Sequence, residues 1–229
     1  MTTRITGISS MATRQVLAEL AVAYRKQSGV VVEFESVGGV DAAKRVQAGA
    51  AFDVVVLAAD AIAKLVAAGS VISQSKTDLV RSAVAIAVRE GAARPDIGSE
   101  EALRRAMLCA GTIGYSTGPS GVALTKLFDR WGIAETVRDR IVQAPAGVPV
   151  GQLVASGEVE LGFQQLSELM HLPGIDVLGT MPSGCEIVTT FSAGLCATSV
   201  QPEAVRALLA FLSSPAAEDA KRRHGMEPA

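Results

Sequence analysis

The residues whose types and spacing could do chemistry in this chain are small and polar, and they stand where apolar runs break. In Gly114-Tyr115-Ser116-Thr117-Gly118-Pro119-Ser120-Gly121-Val122, an apolar run from Thr112 to Tyr115 reads as a strand. A turn of Gly, Pro and hydroxyl residues follows, then an amphipathic run through Val122, Leu124, Leu127 and Phe128 that reads as a helix. A strand that re-enters a helix through glycine and serine presents backbone N–H groups, hydroxyls and the positive helix end at one point, which suits an anion. An ordinary serine-capped turn is the alternative. Similar junctions recur at Ser9-Ser10, at Ser36-Val37-Gly38-Gly39 and in the Pro/Gly turn Ala144-Pro145-Ala146-Gly147-Val148-Pro149. Gln164 and Gln165 stand side by side at the end of an apolar run, as pocket lining or as surface.

Acid–base candidates near these junctions are Glu35, Asp41, Asp60, Tyr115, Glu168, His171 and Cys185. Asp53 and Asp60 bracket one apolar run and also read as turn and N-cap carboxylates. Lys44, Arg45 and Arg81 could pair with a carboxylate, with Arg81 placed where the chain is expected to change domain. No Ser-His-Asp or Cys-His spacing emerges, and no motif calls for a metal or another cofactor.

The elements that must position these residues alternate. Strands are expected at Ile5–Ile8, Val30–Phe34 and Val54–Leu57, each followed by a helical pattern that closes near Gly29, Gly49 or Gly69. That β-α-β-α-β-α order calls for a parallel α/β sheet, and the unbroken apolar run at Val54–Leu57 suits a strand covered on both faces. The longer run Leu79–Val88 suits a strand that leaves one sheet for another, and Glu186–Phe191 with Ser192 suits the return. The expected organisation is two α/β domains with mixed sheets flanked by helices: residues 1–81 plus 192–229, and residues 82–191. The last element expected is a helix ending near His224-Gly225.

Composition narrows the partners. The 229 residues are 49% hydrophobic, 19% charged and 4% aromatic, with a net charge of −2. No basic block suggests nucleic acid, and no apolar run reaches membrane-spanning length. A small-molecule anion is the expected partner. Cys109, Cys185 and Cys196 make an odd count without metal or redox spacing and read as free thiols. The start Met1-Thr2-Thr3-Arg4-Ile5 runs almost directly into the first strand, so the sequence as it stands reads as cytoplasmic, or as periplasmic if an export signal has been removed.

Four segments carry a family resemblance: Gly7-Ile8-Ser9-Ser10, Arg45 to Val56, Gly114 to Gly121, and Val159-Glu160-Leu161-Gly162-Phe163. With the tail from Leu208 to Gly225, they resemble the substrate-binding proteins of molybdate-type ABC transporters, members of the type II periplasmic binding protein fold. That resemblance implies an oxyanion held in a cleft between the two domains, and a permease partner if the protein is exported. It places Ser9 or Ser10 on the first-loop serine, Gly38 and Gly39 near the second-loop serine, Ser120 on the small residue of the Pro-x-Gly turn, and Gly147 or Val148 on a backbone donor. Ser116 and Gly121 beside Ser120 are candidate binding residues with them. Gln165 falls where molybdate binders tend to carry a tyrosine. Glycines that let backbone and ligand approach closely suit a larger organic acid. Two functions are therefore expected: a solute-binding protein for a small oxyanion or carboxylate, or a cytoplasmic isomerase, lyase or hydrolase acting on a small carboxylate. An effector domain of a transcription regulator would need a helix-turn-helix segment, which the sequence does not show.

Overall fold

A computed structural model describes residues 3–145 and 147–229, so Met1, Thr2 and Ala146 of the expected N-terminus and Pro/Gly turn lie outside the described residues. The chain forms two compact units, Met1–Ser82 with Thr190–Ala229, and Ala83–Thr189.

In the first unit, β1 (Arg4–Ser10) lies between β2 (Val31–Val37) and β3 (Val54–Ala58), parallel to both. Antiparallel to β3 runs β9 (Val188–Leu195), whose residues from Thr190 onward belong to this unit. The side-chain alternation of β3 explains its unbroken apolar sequence. Val54, Val56 and Ala58 enter a core shared with α1 (Arg14–Ser28) and α9 (Pro202–Leu212). Val55 and Leu57 face a second core under α2 (Gly39–Gln47) and α3 (Ala59–Ala67). With both faces covered, every position of the strand gains from an apolar side chain. α1 buries Val16, Leu17, Leu20 and Tyr24, the face its periodicity predicts, and Gly29 closes it in the left-handed conformation.

The last residues depart from expectation. The final helix resolves into a short 3-10 turn at Pro215–Ala217 and α10 (Glu218–Arg223), and an unexpected strand follows, β10 (Met226–Pro228). β10 pairs antiparallel with the first half of β4 (Thr77–Arg89), setting Glu227 opposite Arg81.

In the second unit the other half of β4 pairs antiparallel with β7 (Leu161–Gln165) and with β8 (Ile175–Thr180). β5 (Ile113–Tyr115) lies between β6 (Ile141–Gln143) and β7, parallel to both. The helices α4 (Glu100–Cys109), α5 (Pro119–Arg130), α6 (Ala134–Val137), α7 (Val150–Ser156) and α8 (Leu166–Leu169) accompany this sheet. Its main core gathers Val84, Ile86, Leu103, Met107, Leu124 and Phe163. The mixed α/β architecture expected from the sequence is present.

Candidate functional site

In the first unit the parallel strands β1, β2 and β3 finish at one edge, and their polar residues meet there. Ser9 is fully buried and shares a 2.8 Å hydrogen bond with Ser36 at the register-matched position of β2. Ser10, 7% exposed, has a hydroxyl without a hydrogen-bond partner. A side chain added to Gly39 would lie 3.8 Å from the Ser10 Cβ, so this hydroxyl-bearing residue adjoins the first turn of α2. That helix starts after Gly38 with no side-chain cap, leaving its first N–H groups to other acceptors. An orphan hydroxyl beside an uncapped helix start is suited to an anion.

Two carboxylates near this edge, Glu35 and Asp53, are otherwise engaged. Glu35 is held by both guanidinium nitrogens of Arg45, at 2.5 and 2.8 Å, and that pairing keeps its carboxyl below the usual carboxylate range. Asp53 accepts from the Thr6 N–H and hydroxyl and from Ser199, bracing β1, β3 and the segment after β9. Asp41 and Asp60 are exposed in the first turns of α2 and α3. Arg81 is exposed on β4.

In the second unit β5, β6 and β7 also end together. Ser116 and Ser120 approach at 3.4 Å, and the Gly118 N–H points to Ser116 at the same distance. Ser120 and Gly121 do not belong to the turn in which the sequence reading places them. Pro119 opens α5 and both lie in its first turn, because proline at the first helical position forfeits no hydrogen bond. Gly121 is required there: a Cβ would collide with the Ser116 carbonyl oxygen and approach Tyr115 Cδ2 at 2.8 Å. The turn after β6 is anchored by the Ala144 N–H to the Tyr115 carbonyl, 2.9 Å. Gly147 has φ +83°, and the Val148 N–H is already bonded to the Pro145 carbonyl at 3.0 Å, so Val148 is not an open donor.

The two glutamines are strand residues, not residues beyond the strand, and both are 3% exposed. Gln165 donates from Nε2 to the Thr189 hydroxyl at 2.9 Å, while its Oε1 has no partner. A threonine hydroxyl can donate or accept, so either face of this amide can be offered to a ligand while the Thr189 bond is kept. Gln164 accepts from the Val150 N–H at 2.8 Å and donates to Glu168 Oε1 at 2.8 Å. Burial raises the Glu168 carboxyl to about 7, against a smaller lowering by the Gln164 amide. The i,i+4 spacing of Gln164 and Glu168 was visible in sequence, but their pairing was not expected, because a strand-to-helix junction separates them.

Of the other candidates, Tyr115 is itself the last residue of β5. Burial pushes the Cys185 thiol up to about 11 and Cys196 to about 12, and Tyr115 is raised for the same reason. His171 is exposed beyond α8. A groove of about 370 Å3 on the second unit is lined by Lys126, Arg130, Cys185, Glu186 and Val188 among others. None of the ligand-binding residues expected from the sequence lines it.

The strand ends therefore offer neutral donors and one carboxyl that titrates near neutrality. Comparison with known proteins places them in a family. The profile described as "Bacterial extracellular solute-binding protein" matches residues 5–227. An aconitate isomerase from Pseudomonas sp is 38% identical over 232 residues, covering 99% of this chain and 88% of that protein. The periplasmic molybdate-binding protein of Azotobacter vinelandii superposes with a TM-score of 0.80 at 19% identity, over 97% of this chain and 98% of its own. The sulfate-binding protein of Mycobacterium tuberculosis H37Rv gives 0.80 at 18%, over 99% and 87%. The fold is that of the type II periplasmic binding proteins, as the sequence resemblance implies. The chain belongs to the bacterial extracellular solute-binding protein family.

Proposed function

We propose that this protein binds a small polycarboxylate of the aconitate class and isomerises it. The observation that carries the reading is the 38% identity to an aconitate isomerase along 99% of the chain. The strand ends support it chemically. Ser9, Ser10, Gly38 and Gly39 in the first unit, and Ser116, Ser120, Gly121, Gly147 and Gln165 in the second, are neutral groups suited to carboxylates. Hydrogen bonds from neutral donors to an ionised acceptor are roughly twice as strong as those between neutral groups.

Aconitate carries a methylene flanked by a carboxylate and a carbon–carbon double bond. Removing a methylene proton leaves an allylic carbanion that spreads onto the carboxylates. Returning the proton to the former vinyl carbon regenerates the same skeleton with the double bond moved, free to be cis or trans. Atoms and electrons balance without a redox partner. The site must bind three carboxylates, stabilise the growing charge with fixed donors, and carry one proton.

A second reading is a non-catalytic carboxylate-binding protein that hands its ligand to an ABC permease from the periplasm. The family membership and the superposition on periplasmic binding proteins favour it. Incubation with trans-aconitate in D2O, followed by proton NMR, separates the two. The isomerase produces the cis isomer and exchanges methylene hydrogen for deuterium. Thermal stabilisation by aconitate with an unchanged spectrum would establish the binding protein instead.

A further inference from the structure

The isomerisation needs a group that accepts a proton from carbon near neutral pH and gives it back. In the second unit, Glu168 has the placement for that task. It sits in the first turn of α8, the helix that leaves the end of β7 where β5 and β6 also finish. Ser116 and Ser120 stand at the end of β5, and the turn holding Gly147 follows β6. Gln164, fully engaged itself, joins the first N–H of α7 to Glu168 Oε1, so the carboxyl is tied to the helix that this turn enters. The other oxygen, Oε2, has no hydrogen-bond partner among the described residues.

Among the described residues, no ion pair offsets this carboxyl. α7 and β7 contain no ionisable side chain. Leu166 and Leu169 of α8 pack against Ala85, Ala87, Ile175 and Val177 of β4 and β8. The ionisable residues those strands bring to this unit are Arg89 and Asp176, and His171 lies exposed past the helix. None of the three contributes to the displacement of Glu168, which burial and the Gln164 amide account for. A carboxyl poised near 7 is half ionised where it must act as base and then as acid. Glu35 is paired with Arg45, and Asp53 is bonded to Thr6 and Ser199, so both are committed to other contacts.

Resting on the isomerase reading, we propose that Glu168 is its acid–base residue, with Gln164 as the positioning residue that aims it. The Glu168 carboxylate takes a proton from the substrate methylene: its O–H bond forms as the C–H bond breaks, and the electron pair enters the allylic system. The carboxyl proton, which exchanges with solvent between the two steps, is then given to the former vinyl carbon, which restores the carboxylate. One residue serving both carbons accounts for isomerisation without a second base.

The test is Glu168→Gln, which keeps an oxygen acceptor for the Gln164 amide. Turnover and methylene deuterium exchange should both fall by about 10²–10⁴-fold, as expected for loss of a general base. Aconitate affinity, read by calorimetry, should stay within about threefold because the lost group acts on the transition state. In the wild type, kcat/KM should rise with pH to a plateau above about 7, following ionisation of Glu168. Gln164→Leu should displace that acidic limb and lower kcat more than it raises KM, which a merely structural role would not do. Turnover that survives in Glu168→Gln overturns this assignment and leaves the isomerase reading standing. A wild type without turnover overturns the isomerase reading, and this role with it.

Discussion

Glu168→Gln should also make the protein more stable, and only above a definite pH. In the folded chain this carboxyl titrates at about 7, against an ordinary value of 4.5. Below 4.5 it is neutral in both folded and unfolded chains and contributes no pH dependence. Between 4.5 and 7 the folded state binds more protons than the unfolded state, so wild-type stability falls as pH rises. Above 7 the full penalty of holding a desolvated carboxylate is present. At 1.36 kcal/mol per pK unit, and allowing for partial exposure of the side chain, that penalty is about 2–3 kcal/mol. Glutamine carries no charge and avoids it while still accepting from Gln164. Urea melts of wild type and variant at pH 4 and pH 8 provide the assay. The curves should nearly coincide at pH 4, with the variant more stable by about 2–3 kcal/mol at pH 8, or roughly 5–10 °C in Tm. A stability difference that is the same at both pH values would refute the reasoning, because burial would not then be what holds the proton on Glu168.

Three other perturbations can be tested cheaply. Gly121→Ala should destabilise by roughly 3 kcal/mol, read as a lowered urea midpoint, since its Cβ collides with the Ser116 carbonyl and Tyr115 inside a helical turn. Ser10→Ala should leave stability unchanged or raise it by up to about 1 kcal/mol, because the buried hydroxyl has no partner to lose. The same change should weaken carboxylate binding by about tenfold in a thermal-shift titration if Ser10 is a ligand donor. Of the three thiols, a disulfide reagent at pH 8 should modify Cys109 quickly and spare Cys185 and Cys196, which burial keeps protonated near 11 and 12.

Much of the fold was legible because its strands follow simple patterning rules. Val54 to Leu57 reads as a doubly covered strand since both of its faces meet apolar cores. Ser9 and Ser10 announce a strand end because hydroxyls otherwise interrupt such a run. The failures have equally local causes. β10 is three residues long and contains a proline, so it has no periodicity to detect; only its pairing with Val80, Arg81 and Ser82 makes it a strand. Gln164 and Gln165 look like the end of a strand because two amides in a buried run violate hydrophobic patterning. Val150, Glu168 and Thr189 supply the hydrogen bonds that make their burial affordable, and those partners are invisible in a linear pattern. The raised carboxyl of Glu168 was hidden for the same reason: desolvation depends on packing by β4, β7 and β8, which sequence spacing does not report.

On the isomerase reading, the relation between binding and catalysis in this chain turns on how few changes separate them. A protein that holds a polycarboxylate with neutral, fixed donors already does most of what an allylic proton shift demands, since the transition state differs from the substrate chiefly by more negative charge on the same carboxylates. Donors arranged for the ground state therefore strengthen as charge grows, without new contacts. What a binding protein lacks is a proton carrier of suitable pKa beside the ligand. Adding one requires a carboxyl that is shielded from water and left without a cation, an arrangement that costs stability at neutral pH. Glu168 shows both features, held by the Gln164 amide instead of an arginine. Glu35, with Arg45, shows the opposite solution: a carboxylate stabilised and removed from chemistry by its ion pair. On the isomerase reading, the contrast between these two glutamates is what singles out Glu168 as the proton carrier.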